Sequence, residues 1–504
     1  MRVTPPIFGS FGLLLVSSGF AERPTVTLGP SDGLALDQPR VAVEFLDDSD
    51  TPLGPDISNS FLLDTGAERI VIAGGAFSEL DANGYQTDGT ILEQGVSGFT
   101  TFDVSVPYRM DFAGTAGDIV TLNGVRALSN PTSDFGSFGG IVGMPGMVGR
   151  VTSLDFSGFG TGDLFDAFVG VDMRTDVPAS GGHRYTIPLQ LFDFPITEPD
   201  PPTTADGIPF LTAIVDTSTR RRRGRFLLDT GAQISMLSER LAFDLGLDTD
   251  GDGNFVNEQI SSTVISGVGG NITVPILDVG RLLVPTTGGT DLAWTGVAVI
   301  ILEIDPRIDG IFGSDLLTSG WIEAFLLGGG DGFIQQAQLD FLESDDHRGF
   351  MMLDITPALD TPAPGIPAVD LDSDHVADDW ELLFYDDLGS PVGDSDNDRL
   401  DLILENALNT DPRRFDRNPL HITRNPDGTV TARFPRNAEL PFTSLTLESS
   451  PSLGGVGTWT PVVPDSIETV WFDALTEQVS ITLSPPPGTN TLYFRLSAEV
   501  LPTE

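Results

Sequence analysis

One seven-residue sequence occurs twice in this chain, and that repetition limits the possible folds more than any other feature. Residues 61–67 and 226–232 both read FLLDTGA. Two further segments recur in the same order: GVSG at 95–98 is echoed by GVGG at 267–270, and GIVGM at 140–144 by GIFGS at 310–314. We infer two copies of one unit of about 150 residues.

Both copies read as β structure. Short apolar or β-branched runs such as RVAVEF and GVAVIILEI are bounded by Gly, Pro, Asp or Asn, which is typical of strands between turns. One helical segment per copy is expected after the third recurring segment, as in SDLLTSGW. The predicted fold class is therefore mainly β, with two β-barrel lobes at residues 38–182 and 183–350.

Each copy places an acid directly after an apolar run, Asp64 in the first and Asp229 in the second. A pseudo-twofold axis between the copies would bring the two carboxyls face to face. Like charges at such a distance cannot both ionise, so the pair would hold one proton and titrate as a unit. One carboxylate then acts as general base on a water, while the protonated partner polarises a carbonyl. This chemistry hydrolyses a peptide bond without a metal or a covalent intermediate.

The residues after each acid suit a supporting role. A Thr can hydrogen-bond across the axis, and a Gly lets the backbone approach the carboxyls closely. The expected supports of the pair are Thr65, Gly66, Thr230 and Gly231.

In these segments the chain resembles the aspartic proteases, and the retroviral-type (retropepsin-like) branch in particular. The Asp-Thr-Gly sequences match, the glycine-rich segments resemble flap tips, and GIVGM and GIFGSDLL resemble the segments that close each lobe. The resemblance implies an aspartic endopeptidase with Asp64 and Asp229 as its dyad, no cofactor for catalysis and a polypeptide substrate. Because both units lie in one chain, it also implies a monomer. The implied flap residues are Gly95, Gly98, Phe99, Gly267, Gly269 and Gly270.

Two alternatives stay open at this point. One is a non-catalytic, calcium-dependent surface or adhesion protein built on the same duplicated barrel. The other is an enzyme limited to maturing its own chain, with the Arg cluster at 220–225 as a processing site in a hairpin loop. Substitution of either Asp would abolish turnover in a protease, whereas an adhesin would keep its binding.

A Pro- and Ala-rich linker is predicted at residues 351–369, followed by an acidic segment at 370–412. In this segment carboxylates stand at positions 1, 3, 5 and 12 of two successive loops, which is the spacing of oxygen ligands around Ca²⁺. The segment resembles the thrombospondin type 3-like repeats, and we expect a structural Ca²⁺. The expected ligands are Asp370, Asp372, Asp374, Glu381, Asp394, Asp396, Asp398 and Glu405.

Residues 418–504 again read as short strands between Gly, Pro and Asn turns, which predicts a small C-terminal β-sandwich. Its aromatic residues include Trp459, Trp471 and Tyr493. Such residues are a candidate surface for contact with a cell surface or a glycan.

Charge and composition exclude several classes of partner and chemistry. The 73 acidic and 26 basic residues give a net charge of −47, which repels nucleic acid and anionic membranes. The chain has no Cys, so disulfides and thiolate sites are excluded. No run reaches the roughly 18 apolar residues of a membrane span. Residues 1–21 read as a secretory signal peptide, so we expect bacterial-type export to the medium, the cell surface or the periplasm.

Overall fold

The computed structural model describes residues 23–501 apart from short gaps. The gaps are residues 32, 96–97, 162–166, 181–182, 194–200, 206, 218, 268–269, 304, 328–329, 364–369, 371, 386–387, 389–392, 417, 440–442, 453–458, 472, 474 and 487–490. The predicted mainly β class is confirmed. The chain divides into a large unit, Thr25–Ala363, and a small unit made of the described residues of Met1–Pro24 and Pro364–Glu504.

The large unit is built almost entirely from strands and short connections. Its strands are β1 (Thr25–Pro30), β2 (Arg40–Leu46), β3 (Pro52–Gly54), β4 (Ser60–Leu63), β5 (Ile70–Ile72), β6 (Thr87–Gly95), β7 (Gly98–Ser105), β8 (Tyr108–Ala113), β9 (Ile119–Val125), β10 (Leu128–Ser129), β11 (Gly140–Val142), β12 (Val151–Asp155), β13 (Gly170–Arg174), β14 (Arg184–Phe192), β15 (Ile208–Asp216), β16 (Arg221–Asp229), β17 (Met236–Leu237), β18 (Ser261–Gly267), β19 (Gly270–Asp278), β20 (Arg281–Pro285), β21 (Asp291–Thr295), β22 (Ala298–Ile301), β23 (Gly310–Gly313), β24 (Ile334–Asp340) and β25 (Arg348–Ile355). Its α-helices are α1 (Gly74–Ala82), α2 (Glu239–Asp244), α3 (Ser314–Leu317) and α4 (Trp321–Leu326).

The same order of strand pairing occurs in both halves of the large unit. In the first half the order is β6-β7-β10-β5-β11-β4-β2-β8-β9, and in the second it is β18-β19-β22-β17-β23-β16-β15-β20-β21. In each half the strand that leads into Asp-Thr-Gly pairs in parallel with the strand of the third recurring segment, β4 with β11 and β16 with β23. The same local topology therefore positions both Asp-Thr-Gly sequences.

Buried strands explain why the two acids stand where their runs end. In β2, alternate residues Val41, Val43 and Phe45 are buried in the core, as expected for a strand with one covered face. In β4, by contrast, Phe61, Leu62 and Leu63 are all buried. A strand covered on both faces is apolar throughout, so the first polar residue appears where it leaves the sheet.

The expected boundary between the lobes does not separate two sheets. Strand β12 pairs with β24, from the C-terminal part of the large unit, and also with β13. The antiparallel run β13-β12-β24-β25-β14-β15 therefore joins both halves in one sheet. Strand β25 continues to Ile355, so residues 351–355 belong to this sheet and not to the linker expected at 351–369. Residues 364–369 of that linker lie outside the described residues.

Each half contains a helix that the sequence analysis missed. Helix α1 follows β5, and α2 follows β17. The expected helix after the third recurring segment occurs as α3 in the second half, while the first half has a 3₁₀ turn, Met144–Gly146, with Pro145 in its first positions. In α2 the Ser238 hydroxyl caps the helix by accepting from the Leu241 N–H at 3.1 Å, whereas α1 has no side-chain cap. Such short helices leave little periodic signal in a sequence.

The described part of the small unit contains two helices, α5 (Asp378–Phe384) and α6 (Leu402–Leu408), and two sheets. Its strands are β26 (His421–Arg424), β27 (Val430–Asn437), β28 (Thr443–Ser450), β29 (Thr460–Pro461), β30 (Ser466–Trp471), β31 (Thr476–Leu483) and β32 (Tyr493–Val500). The sheet orders are β26-β27-β31-β30 and β29-β28-β32. Side chains of both sheets share one core with Leu408 of α6.

Among the described residues, no helix is both long and apolar enough to cross a membrane. The predicted signal peptide, residues 1–21, lies outside the described residues.

Candidate functional site

Two strands bring Asp64 and Asp229 together. Asp64 directly follows β4, and its N–H continues the pairing with β11 by donating to the Val142 carbonyl at 3.0 Å. Asp229 is the last residue of β16. The two carboxyls are hydrogen-bonded to each other, and each keeps a partly exposed surface. A substrate can therefore reach a pair of acids that the protein has partly removed from water.

Reciprocal hydrogen bonds between two threonines hold the loops that carry the acids. The Thr65 hydroxyl donates to the Leu228 carbonyl at 2.6 Å and accepts from the Thr230 N–H at 3.1 Å. The Thr230 hydroxyl donates to the Leu63 carbonyl at 2.7 Å and accepts from the Thr65 N–H at 3.1 Å. Both threonines are buried. Each hydroxyl thus satisfies one donor and one acceptor of the opposite loop, and buried bonds of this kind rigidify what they connect.

The glycines of the two loops leave room for the opposite carboxyl. A Cβ on Gly66 would lie 2.6 Å from Cγ of Asp229, and a Cβ on Gly231 would lie 2.6 Å from Cγ of Asp64. Both distances are shorter than real Cβ contacts. Since neither glycine lies in the left-handed region, the requirement for Gly comes from space and not from backbone conformation.

Burial and mutual charge set the protonation of the pair. Burial raises the pKa of Asp64 well above its usual range, and the negative charge of Asp229 raises it further. Burial also raises the pKa of Asp229, but hydrogen bonds from Asp64 and from the Gly231 and Ala232 N–H groups oppose that rise. The Gly231 and Ala232 bonds reach Asp229 Oδ1 at 2.8 and 2.9 Å. Hydrogen bonds from the Gly66 and Ala67 N–H groups lower the pKa of Asp64 in the same way, and the Gly66 bond reaches Asp64 Oδ1 at 2.8 Å. Because burial raises the pKa of both acids, the pair retains a proton at a pH where isolated carboxyls are ionised.

The two segments that are expected to be flaps both form glycine-closed hairpins. In the hairpin of β6 and β7, the residue pair next to the turn is Gly95 and Gly98. In the hairpin of β18 and β19, it is Gly267 and Gly270. Phe99 is exposed, with 65% of its surface accessible. Gly269, the remaining expected flap residue, lies outside the described residues.

Sequence reasoning missed a group of polar residues behind the second catalytic loop. Asp315, at the start of α3, is fully buried and accepts hydrogen bonds from the hydroxyls of Ser235 at 2.8 Å and Ser31 at 3.1 Å. Burial raises its pKa to about 6, although the bond from Ser235 lowers it. The Ser314 hydroxyl donates to the Thr230 carbonyl at 2.8 Å. Ser314 and Asp315 stand in the GIFGSDLL segment, but nothing in that segment or around Ser31 and Ser235 indicates these contacts, so only the structure reveals them.

Most of the Arg cluster lies in a strand: Arg220 is exposed in the connection between β15 and β16, and the rest of the cluster follows it. Residues 221–225 belong to β16, which is hydrogen-bonded to β15 over this stretch. Arg221 and Arg223 are buried. A protease needs an accessible, extended segment, and these peptide bonds are part of a sheet. The location therefore disfavours self-processing at the peptide bonds within residues 221–225.

In the small unit, the two acidic loops adopt the same geometry. The His375 N–H donates to Asp370 Oδ2 at 3.1 Å, and the Arg399 N–H donates to Asp394 Oδ2 at 2.9 Å. His375 and Arg399 both stand at the sixth loop position and have φ values of 74° and 82°, a region that Gly usually occupies. Carboxylate oxygens of the expected ligands at positions 1, 3 and 5 lie within 4.8 Å of one another in each loop; these are Asp370, Asp372 and Asp374, and Asp394, Asp396 and Asp398.

Glu405, the twelfth residue of the second loop, tests whether a cation fits there. It is fully buried on α6, and neither carboxylate oxygen has a hydrogen-bond partner in the described part of the chain. Burial raises its pKa to about 8, and the charges of Asp398 and Asp396 add to the rise. A buried carboxyl without a partner is costly, and a hard cation is the partner that such oxygens take. The second loop therefore fits a Ca²⁺ ion.

Two further carboxylates belong to these clusters and were not predicted. In the first loop Asp378 lies with Asp372 and Glu381 in a group whose oxygens are within 4.8 Å. In the second, the negative charge of Asp416 also raises the pKa of Glu405, and its N–H donates to Asp398 Oδ2 at 3.0 Å. Asp416 follows α6, outside the twelve-residue spacing, so the loop pattern alone could not identify it.

Two hydrogen-bonded carboxyls whose pKa values burial raises form a candidate site for acid–base chemistry. Comparison with known families agrees with this class: residues 211–316 match the family described as Aspartyl protease. The matched segment contains Asp229, its Thr-Gly-Ala sequence and the hairpin β18–β19. The chain matches no curated protein. The family match therefore supports a protease for the second half, and the geometry extends the site to Asp64.

Proposed function

We propose that this chain is an exported aspartic endopeptidase in which Asp64 and Asp229 activate a water molecule. The observation that carries the proposal is the hydrogen bond between these two acids, at carboxyls whose pKa values burial has raised. An acid kept inside a protein for structural reasons is normally paired with a cation. Two acids that face each other instead, with shifted pKa values, are typical of a functional site.

Hydrogen bonds from the backbone support a different role for each acid: Asp229 Oδ1 accepts from the Gly231 and Ala232 N–H groups at 2.8 and 2.9 Å, so Asp229 is the ionised acid of the pair and Asp64 holds the proton. Ionised Asp229 takes a proton from the water, and the water oxygen bonds to the carbonyl carbon of the peptide. Asp64 gives its proton to the carbonyl oxygen. The amide nitrogen of the resulting tetrahedral intermediate then takes the proton from Asp229 as the C–N bond breaks. One hydroxyl of the intermediate returns a proton to Asp64. The pair ends with one proton, as it began, and releases a carboxylic acid and an amine.

The two halves of the large unit act as duplicated lobes of one enzyme. Their support is the repeated strand order and the reciprocal contacts of Thr65 and Thr230. The hairpins β6–β7 and β18–β19 serve as flaps over a bound polypeptide. Their paired glycines at the tips allow close approach to a substrate backbone.

A cleavage assay tests the proposal. Purified protein is incubated with an unstructured protein substrate from acidic to neutral pH, beside the variants Asp64→Asn and Asp229→Asn. The control is Asp118→Asn, which makes the same chemical change at an exposed residue of the large unit. We expect either dyad variant to lose at least about a hundredfold in kcat, while the control keeps it. Uncleaved substrate with folded parent protein would contradict the proposal and favour the adhesion reading.

The acidic loops bind Ca²⁺ in a structural role. The residues that would hold it include Asp394, Asp396, Asp398 and Glu405, and their support is the buried, unpartnered carboxylate of Glu405. When bound, the ion supplies positive charge that neutralises clustered carboxylates and connects the loop to α6.

Calorimetric titration with CaCl₂ tests this role. The variant Glu405→Gln keeps the shape of the side chain and removes its charge, and Glu468→Gln, at an exposed position of β30, is the matched control. We expect Glu405→Gln to lose calcium binding at the second loop, while Glu468→Gln binds as the parent does. Identical titrations for all three proteins would contradict the assignment.

Export follows from the predicted signal peptide. Sequencing the N-terminus of the protein recovered outside the cytoplasm should give a start near Glu22. A cytoplasmic protein that retains Met1 would contradict export. A contact between the C-terminal strands and a glycan or cell surface stays a prediction.

A further inference from the structure

The short segment before β2 contacts both catalytic loops. The Pro39 carbonyl accepts a hydrogen bond from the Leu63 N–H at 2.9 Å, one residue before Asp64. The side-chain amide of Gln38 donates to the Gly231 carbonyl, two residues after Asp229. Two adjacent residues therefore connect the loops on which the dyad stands.

The amide of Gln38 is held in one orientation. Gln38 is buried, with 5% of its surface accessible. Its Oε1 accepts a hydrogen bond from Gln233 Nε2 at 2.8 Å. Because the oxygen of the amide is engaged there, the NH₂ group must point towards the Gly231 carbonyl. A buried amide with both ends engaged is costly to replace.

The Gly231 carbonyl belongs to the same peptide unit as the Ala232 N–H. That N–H donates to Asp229 Oδ1 at 2.9 Å. A peptide unit is planar, so the bond from Gln38 at one end sets the direction of the N–H at the other. A hydrogen bond to the carbonyl also polarises the amide and strengthens its N–H as a donor. Gln38 thus acts on Asp229 through one rigid group.

The first catalytic loop has no equivalent donor at the matching position. The Ala35 N–H donates to the Gln233 carbonyl at 2.8 Å, and the Ala205 N–H donates to the Glu68 carbonyl at 3.1 Å. Gln233 and Glu68 occupy the same position after their Asp-Thr-Gly-Ala sequences, so Ala35 corresponds to Ala205. Counting three residues on, Gln38 corresponds to Ile208, which is apolar and buried.

We infer that Gln38 is a positioning residue that directs the Ala232 N–H at Asp229 Oδ1 by orienting the Gly231–Ala232 peptide. The inference rests on the proposed function, since it concerns the base of that reaction. Gln38 itself touches no substrate in this role. It acts on the N–H that stabilises the negative charge of Asp229.

The test compares two variants. Gln38→Leu removes the N–H donor to the Gly231 carbonyl, and Gln38→Glu can donate there only while its carboxyl is protonated. The control is Gln335→Leu, because Gln335 is a partly buried glutamine that also makes a side-chain hydrogen bond, to Thr356 at 2.9 Å. Turnover is measured against pH for each. Urea unfolding against pH, with and without Asp229→Asn in each background, reports the titration of the dyad without any substrate.

For Gln38→Leu we expect kcat to fall about tenfold, the effect of losing one hydrogen bond, with KM unchanged. The acidic limb of the pH profile should move to higher pH, since Asp229 loses stabilisation of its charge. Gln38→Glu should match the parent at low pH, where its carboxyl donates, and lose activity as that carboxyl ionises. Unfolding measured at each assay pH separates this loss from loss of the fold.

A Gln38→Leu variant with the kcat and acidic limb of the control would overturn the inference and leave the proposed function intact. If the parent itself cleaves nothing, the proposed function fails, and the unfolding curves decide alone. A dyad titration shifted by Gln38→Leu, but not by Gln335→Leu, then supports the positioning role. Superimposed titrations refute it.

Discussion

Replacing Gly231 by Ala should disable the dyad by displacing a carboxyl. The new Cβ would lie 2.6 Å from Cγ of Asp64, and ordinary contacts of a Cβ begin at 3.4 Å. The carboxyl or the loop must therefore shift by about 1 Å, and a displacement of that size at reacting groups costs about a hundredfold in rate. The same crowding should destabilise the fold by about 1–3 kcal/mol.

The assay is kcat on a fluorogenic peptide, with urea unfolding measured on the same preparations. Gly66→Ala should behave in the same way, because its Cβ would lie 2.6 Å from Cγ of Asp229. Gly75→Ala is the matched control: its Cβ would lie 3.5 Å from Oγ of Ser58, an ordinary contact, at an exposed position of α1. We expect that control to keep full activity and to gain up to about 1 kcal/mol.

A Gly231→Ala enzyme with kcat within about threefold of the parent would refute this reasoning, since it would show that the opposite carboxyl needs no free space. A loss of activity shared by Gly75→Ala would also refute it. In that case the effect would come from any added methyl group, not from its position against the dyad.

Three further perturbations have defined outcomes. Thr65→Val leaves the buried Leu228 carbonyl and Thr230 N–H unpartnered, so it should cost about 2–4 kcal/mol in urea unfolding, while Thr65→Ser costs less; equal losses would contradict this. Burial raises the pKa of Asp315 to about 6, so its protonated carboxyl adds about 3 kcal/mol to the free energy of unfolding. This contribution is full below about pH 4 and is lost as the pH rises through about 6. Asp315→Asn should flatten this slope of unfolding free energy against pH, and parallel slopes would contradict it. Arg399→Gly should relieve the positive φ of 82° and stabilise calcium-free protein by about 1 kcal/mol, and a lower Tm would count against it.

Local chemistry made much of the candidate site predictable. The Asp-Thr-Gly sequences identified Asp64 and Asp229 because a polar residue after a doubly buried strand is conspicuous. The spacing of the acidic loops predicted Glu405 as a ligand in the same way, since a twelve-residue loop can supply several oxygen ligands to one ion. In both cases the informative residues are close together in the sequence.

Contacts between distant segments were not predictable. The pairing of β12 with β24 joins segments with no shared pattern, since any two amphipathic strands can form a ladder. Asp416 approaches Glu405 from beyond α6, and Gln38 reaches Gly231 from another part of the chain. An isolated Gln or Asp carries no sign of its partner in sequence, because its role depends on the fold around it.

The asymmetry between the halves has a chemical consequence for the dyad. Gln38, Ser235 and Asp315 stand around the loop that carries Asp229, whereas the matching residues around the loop that carries Asp64 are Ile208, Ile70 and Pro145. A homodimer of one lobe would present identical surroundings to both acids, and the shared proton would have no preferred carboxyl. In a single chain each half carries its own substitutions. Here polar groups gather around the loop that carries Asp229, whose Oδ1 accepts from two N–H groups, whereas Asp64 Oδ1 accepts from the Gly66 N–H. In the reaction that we propose, this difference favours the proton on Asp64 and so gives the two acids different roles.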